Sequence, residues 1–456
     1  MSPTATEHRD ADYLILGAGA MGMAFADVIL AEDRAARIVM VDRHANAGGH
    51  WNDAYPFVRL HQPAAFYGIN STHLGQGGAD LTSGPEIVAY YKNAMDRFLA
   101  TGRVVFLPMS EYGQDGRIVS TVDRDRITQV TAHRRVVDGT YMQVRVPSVC
   151  PPGYRVDSDV TVIAPNGLAQ VRQPAQRYVV IGAGKTGIDS ILFLLDQGVA
   201  PHRIQWIVPN DAWLWDRATV QPGLAMATIV ALVQSVAGAS TVDDVFLHLE
   251  RQGIVCRVDT TSLPTKWRCA TIDRTELGGL RRIEDVVRMG RVQRISNEAI
   301  HLDRGTVAVA EDSLFIDCSA NGLARIERQP LFSPGHITLQ SVFMCQQTLS
   351  AALIARLELL DVTDDRRNRI LTAVPHPELK QDLPTCLVTS AQNMINYSRQ
   401  LPLWLRRCRL YFAHHEPLRR YVLGSAKLAV VQHRAVASMN KMLPAASKLH
   451  VERRTA

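Results

Sequence analysis

Two Gly-x-Gly-x-x-Gly turns, Gly17-Ala18-Gly19-Ala20-Met21-Gly22 and Gly182-Ala183-Gly184-Lys185-Thr186-Gly187, each follow a short apolar run and open a helix-like pattern. Such a turn only makes sense between a buried parallel strand and a helix whose first amides face an anion. The pair therefore predicts an α/β chain with two Rossmann-like doubly wound domains. A chain that cradles two dinucleotides is usually built to pass electrons from one to the other.

In the first unit the pattern predicts a strand at Tyr13 to Leu16, a helix at Ala20 to Leu30 and a second strand at Ile38 to Val41. Asp42 follows, twenty positions after Gly22, where the fingerprint places a carboxylate to accept hydrogen bonds from ribose hydroxyls. Gly17 permits the tight turn, Gly19 lets main-chain amides approach a pyrophosphate, and Gly22 lets helix and strand pack closely. Arg43, next to the acid, is a further candidate contact.

The second unit repeats the pattern, with strands at Tyr178 to Ile181 and Ile204 to Val208 and a helix from Gly187. No acid ends it. Asn210 stands near the ribose-acid position, which removes the charge that would repel a ribose 2′-phosphate and so leans toward NADPH, with Arg217 the nearest downstream base. Lys185-Thr186 imitates the end of an ATP-binding P-loop, but that motif needs a glycine where Val179 stands.

At 456 residues the chain exceeds the size at which one core keeps growing, so two or three subdomains are expected. A formal charge of +6 could point to nucleic acid, yet the bases are scattered and lack interleaved aromatics. The seven cysteines include no CxxC pair and read as reduced cytosolic thiols, which argues against disulfide-reductase chemistry. The polar first ten residues carry no signal-peptide pattern, and the apolar stretch from Gly223 to Ser240 reads as a buried helix instead of a membrane span. No metal-ligand spacing stands out; His414-His415-Glu416 are adjacent and point different ways.

Beyond Asp42 comes Gly48-Gly49-His50-Trp51, then Tyr55-Pro56 and Val58-Arg59-Leu60-His61-Gln62-Pro63. This run resembles the GGxW...YPxxRxxxP region of the class B flavoprotein monooxygenases, the group that includes flavin-containing, N-hydroxylating and Baeyer-Villiger enzymes. The second unit resembles their NADPH domain, and Asp317 to Leu323 resembles the strand that returns to their flavin domain, with Gly322 its glycine. The FxGxxxHxxxW/Y sequence of the flavin-containing and Baeyer-Villiger subgroups is absent between Pro151 and Arg177. Physically, Gly49 allows a close backbone approach, Trp51 offers a flat apolar face, Arg59 a bidentate fork, and His61 and Gln62 polar groups for a ring edge.

The resemblance implies an FAD domain from residues 1–165 and 310–456, with an NADPH domain, 170–305, inserted in it. It implies that NADPH reduces FAD, which oxygenates a small molecule at a heteroatom or carbonyl through a flavin hydroperoxide. Gly17, Gly19, Gly22, Asp42, Arg43, Gly49, Trp51, Arg59, His61, Gln62 and Gly322 are expected around FAD; Gly182, Gly184, Lys185, Thr186, Gly187, Asn210 and Arg217 around NADPH. Gln62 and Asn70 are the candidates for the reactive flavin edge. The rivals are a flavin-dependent NAD(P)H reductase without oxygen insertion and a flavin protein with no redox turnover. The expected partners are a small-molecule substrate and no nucleic acid, with no integral membrane segment; a homo-oligomer stays open, and the cytoplasm is the expected place.

Overall fold

The computed structural model describes residues 6–77, 79–322 and 326–443. Leu323 and the basic stretch from Lys448 to Arg454 lie outside the described residues. The chain begins with strand β1 (Thr6–Leu16), helix α1 (Ala20–Glu32), β2 (Ile38–Val41), α2 (Gly84–Ala100), β3 (Val104–Leu107), β4 (Ser110–Tyr112), β5 (Arg117–Ser120) and β6 (Ile127–Asp138). β3, β2, β1 and β6 lie side by side and parallel. β4 and β5 form a hairpin joined antiparallel to β6.

The chain then leaves this sheet through β7 (Arg155–Val156), β8 (Val162–Ile163), α3 (Pro165–Leu168), β9 (Arg177–Ile181), α4 (Lys185–Asp196) and β10 (Ile204–Ile207). Next come β11 (Ala212–Asp216), α5 (Ala225–Ala237), α6 (Val242–Arg251), β12 (Val255–Cys256), β13 (Lys266–Ile272) and α7 (Arg274–Leu280). β14 (Val286–Val287), β15 (Val292–Ile295), β16 (Ala299–Leu302), β17 (Gly305–Ala308) and β18 (Ser313–Asp317) complete the excursion. A second, wholly parallel sheet runs β14-β10-β9-β18-β8.

The return to the first sheet is made by β19 (Phe332–Ser333) and β20 (His336–Thr338), the latter parallel to β6. Helices α8 (Gln347–Glu358), α9 (Asp364–Ile370), α10 (Leu383–Gln400), α11 (Pro402–Arg407) and α12 (Leu418–Met442) follow. Both large sheets are doubly wound. In the first the chain steps outward from β1 to β3 and then jumps to β6 on the other side of β1; in the second it steps from β9 to β14 and then jumps to β18. Open α/β sheets bind ligands at such a reversal, beyond the carboxyl ends of the strands.

The strands that carry the glycine turns are nearly continuous apolar runs because both faces of a parallel sheet are covered. Tyr178, Val179, Val180 and Ile181 are all buried. α1 and α8 are buried almost all round, each largely alanine, leucine and other apolar residues, and they pack on each other beneath the first sheet.

Three expectations are revised here. β18 pairs with β9, Ser313 to Asp317 alongside Arg177 to Ile181, so this segment belongs to the second sheet. The C-terminal helices do not belong to the first domain alone: Cys386, Val388, Ala435 and Met439 join a core with Trp213, Phe246 and Trp267. Finally, Cys269 of β13 and Cys345, two residues before α8, form a disulfide. It closes a loop of 76 residues, a separation at which spacing alone carries no signal.

Candidate functional site

The two turns are built on one plan. Gly17 takes φ +90° and Gly182 φ +120°, conformations that favour glycine. A methyl on Gly22 would sit 2.0 Å from the Gly17 carbonyl oxygen, and one on Gly187 would sit 2.2 Å from that of Gly182. Each turn also touches the strand across the reversal. The Gly139 amide donates to the Leu16 carbonyl at 2.9 Å, and the Cys318 amide to Ile181 at 2.9 Å.

Gly19 and Gly184 are the N-caps of α1 and α4, and neither helix has a side-chain cap. Their first-turn amides are thereby left to an outside acceptor, the arrangement that favours an anion at a helix N-terminus. Lys185 adds a cation to the start of α4 and pairs with Asp189 one turn on. The Thr186 side chain hydrogen-bonds to Tyr55, and its carbonyl accepts from Ser190 Oγ at 2.9 Å.

Asp42 is buried at the tip of β2. Its Oδ2 accepts from the Ala18 amide at 2.7 Å, and its Oδ1 from the His44 amide at 2.9 Å, with His44 Nδ1 at 2.8 Å. His44 Nε2 in turn lies 2.8 Å from Asp53, which Arg43 also approaches at 3.5 Å. The carboxylate is thus oriented by the glycine loop itself and keeps part of its acceptor capacity. The Asp42 hydrogen bond raises the pKa of His44 above its ordinary value.

The segment from Gly48 to Pro63 is a strap between the two units. It starts over the first turn, where the Gly48 amide donates to the Ala18 carbonyl at 2.9 Å and Gly49, at φ +57°, lies against Gly19. Trp51 packs edge-on to Tyr67 and donates from Nε1 to its hydroxyl at 2.8 Å. The strap then crosses α4: Tyr55 donates to Asp189 Oδ2 at 2.7 Å, and Phe57 stacks on Phe193 with ring centres 4.1 Å apart. It ends against β13, where the His61 carbonyl accepts from Thr271 Oγ1 and from Arg217 Nε.

His61 Nδ1 lies 3.4 Å from the Thr271 amide as acceptor, so the neutral ring carries its proton on Nε2. Burial, reinforced by the charges of Lys185 and Arg217, pushes its pKa down to about 3. Gln62 Oε1 accepts from Gln346 Nε2 at 3.0 Å, tying the strap to the start of α8. There the buried Gln346 Oε1 and Gln347 Nε2 are left without partners. Buried amide atoms cost free energy unless satisfied, which makes this corner a candidate for a polar ligand edge.

Most of the other candidate residues have protein partners of their own. Arg217 is buried and committed: Nη1 reaches Asp273 at 2.7 Å and Nη2 reaches Glu276 at 2.5 Å, so it clamps the strap to the first turn of α7 and has no fork left for a phosphate. Arg59 is exposed and donates to the Leu81 carbonyl at 3.2 Å. Asn70 Oδ1 accepts from the Arg409 amide at 2.8 Å, beside the buried Asp27 and Ser71, and does not meet Gln62. The Gly322 carbonyl accepts from the Arg145 amide at 3.0 Å. Asn210 sits in the bend after β10, and its neighbour Asp211 is held by Arg288 at 3.0 Å. Trp213 and Trp215 are core residues, Trp213 stacked on Phe246.

Asp189, Thr271 and the Tyr55 contact escaped sequence reasoning. The one local signal was the spacing of Lys185 and Asp189, four apart on one helix face.

The chain superposes on a polycyclic ketone monooxygenase from the fungus Thermothelomyces thermophila with a TM-score of 0.51 at 11% identity, over 95% of this chain and 89% of that one. An oxidized steroid monooxygenase bound to NADP gives 0.50 at 14% identity, over 76% and 84%. An open form of cyclohexanone monooxygenase gives 0.50 at 11%, over 94% and 99%. The chain shares the fold of these monooxygenases.

In sequence, the chain is 43% identical over 419 residues to the uncharacterized proteins Rv2000 of Mycobacterium tuberculosis and Mb2023 of Mycobacterium bovis, spanning 88% of this chain and 77% of theirs. The chain belongs to the family of these mycobacterial proteins. No family model matches it. Among the described residues no helix is long and apolar enough to cross a membrane.

Proposed function

We propose that the protein is an NADPH-dependent FAD monooxygenase that oxygenates a small-molecule substrate at a heteroatom or carbonyl. The observation that carries this reading is the strap: one segment lies over the first glycine turn, crosses the helix of the second, and ends at the polar corner beside Gln346. Two separate nucleotide folds need no such connection. Two coenzymes that must exchange a hydride do.

The residues fit both groups. At the first turn, Gly19 and Gly49 leave only main chain beside an uncapped helix start, and Asp42 is fixed against the glycine loop, where it would accept from ribose hydroxyls. At the second, Gly184 has nothing within 4 Å of an added methyl, and Lys185 brings a cation to the helix start. Asn210, in place of an acid, favours the 2′-phosphorylated nucleotide.

Bound together, NADPH and FAD would supply the hydride transfer and the dioxygen activation that the reaction needs. The chain supplies orientation and electrostatics. The amides of α1 would hold a pyrophosphate, Asp42 would accept from ribose hydroxyls, and Gln346 Oε1 with Gln347 Nε2 would be free to meet a polar ring edge. Gln62 positions Gln346 through its side chain. His61 stays neutral at physiological pH and keeps a proton on Nε2. Arg217 holds the His61 carbonyl and so fixes the end of the strap.

The decisive experiment incubates the purified protein with FAD, NADPH, labelled dioxygen and a panel of amines, sulfides and ketones, and follows the products by mass spectrometry. Label in an organic product is expected. NADPH oxidation that reduces a quinone or dye, with no labelled product, would convert the reading to a reductase. Failure to retain FAD would remove both.

A further inference from the structure

Helix α12 divides its circumference three ways. Gly424, Ala435 and Met439 face inward; an added methyl on Gly424 would meet Met226 of α5 at 3.0 Å, so the two helices are in close contact. The outward arc is apolar where solvent-exposed helices are ordinarily polar. Leu418 is 67% exposed, Val422 56%, Leu423 54% and Val430 79%. Ala426 and Ala429 fill the spaces between them.

At 100° per residue these side chains cover an arc of about 140° and a length of about 18 Å. Along one edge of that arc run Arg420, Lys427, Arg434 and Lys441, and Arg419 stands within it. The helix holds no aspartate or glutamate over its 25 residues. Among the described residues none of its five cations is in an ion pair, although Arg420 donates to the Gly223 carbonyl at 3.3 Å.

We propose that α12 docks the protein on the surface of an anionic lipid bilayer, lying in the interface with its aliphatic arc among the acyl chains and its cations among the headgroups. The arrangement matches what such binding requires: an apolar face, a strip of Lys and Arg beside it, and no anion to repel the headgroups. A second copy of this chain is a poor occupant. A two-fold contact through this face would bring the five cations of each copy into one interface with no carboxylate of the helix to offset them. The helix lies on the membrane and does not cross it, consistent with the charges along its length.

The test is cosedimentation of the full chain with vesicles of phosphatidylcholine alone and of phosphatidylcholine containing phosphatidylglycerol, at low and high salt. The expected result is binding to the anionic vesicles that weakens with salt. The combined variant Leu418→Ser, Val422→Ser, Val430→Ser should bind at least about tenfold more weakly, its fold confirmed by circular dichroism. Lys427→Glu with Arg434→Glu, which leaves the aliphatic arc intact, should weaken binding by a similar factor and flatten the salt dependence. Equal binding to neutral vesicles, no vesicle binding, or variants that bind like the wild type would overturn the proposal. So would a self-association in sedimentation velocity that the serine variant abolishes, or capture by an acidic protein with no affinity for lipid.

Discussion

At the first glycine turn a methyl added to Gly49 would meet the Cα of Gly19 at 2.9 Å, whereas at the second a methyl added to Gly184 meets nothing within 4 Å. The strand, turn and helix are alike; the cover differs. One turn is roofed by main chain from the strap and has an acid locked against its own loop amide. The other is open and has Asn210 where that acid would be. On the proposed function, the covered turn suits a coenzyme that stays bound through many cycles, and the open one a coenzyme that arrives reduced and leaves oxidised.

The part the turns share is the most severe to disturb. Gly22→Ala and Gly187→Ala each force a methyl onto a carbonyl oxygen at 2.0 and 2.2 Å. Both oxygens belong to the backbone, so relief requires moving the helix off the strand. We expect each substitution to cost about 4 kcal/mol or to prevent folding, measured by urea denaturation. A tolerated alanine at one turn but not the other would show that the likeness is only superficial.

Next in size is the Cys269–Cys345 bridge, which ties β13, the strand that receives the strap, to the segment before α8. Cys269→Ser should lower stability by about 2 to 4 kcal/mol. Dithiothreitol should lower the melting temperature of the wild type and leave that of the variant unchanged. An unchanged wild type would mean that the two thiols are not joined in solution.

The strap and the first turn should also respond to pH with opposite signs. His61 has a pKa pushed down to about 3 and His50 one pushed down to about 4, each chiefly by burial. Their unfolded forms protonate near pH 6.5, so the folded state loses about 1.4 kcal/mol per pH unit for each as pH falls below that value. His44 is raised by its bond to Asp42; it stabilises the fold below its unfolded pKa, and that contribution fades as pH rises through the folded one. Denaturant midpoints between pH 7.5 and 4.5 should therefore show His61→Gln gaining on the wild type with acid. His44→Gln should be at its greatest disadvantage at the acid end and recover as pH rises.

What could be read in advance follows from how local each feature is. The glycine turns, the buried strands around them and Asp42 are dictated by residues a few positions apart, and the structure places them as strand–turn–helix units. The partners of Arg217, Asp273 and Glu276, lie more than fifty residues downstream, so the sequence alone leaves its charge looking free. The Tyr55–Asp189 and Gln62–Gln346 bonds join positions 134 and 284 apart, and no periodicity reports them. β18 shows the same limit. An apolar strand announces that it is buried, but not which of two parallel sheets buries it.

The smallest expected effect on stability is the sharpest test of the difference between the turns. Gly184 has ordinary extended backbone, φ −78° and ψ −179°, and open space where a Cβ would stand. Gly184→Ala should therefore change the denaturation midpoint by no more than about 0.5 kcal/mol, within the range of surface substitutions. If that space is where a pyrophosphate meets the α4 amides, the same methyl holds the nucleotide off, and NADPH affinity should fall by about tenfold or more with the FAD content of the protein unchanged. Gly49→Ala should give the reverse pattern, since its methyl meets Gly19 and its φ of +57° disfavours a side chain: poorer folding or FAD retention, with NADPH affinity intact in whatever protein retains the flavin. If Gly184→Ala binds NADPH as the wild type does, the open turn is not the nucleotide site, and the contrast between a covered and an accessible coenzyme loses its meaning.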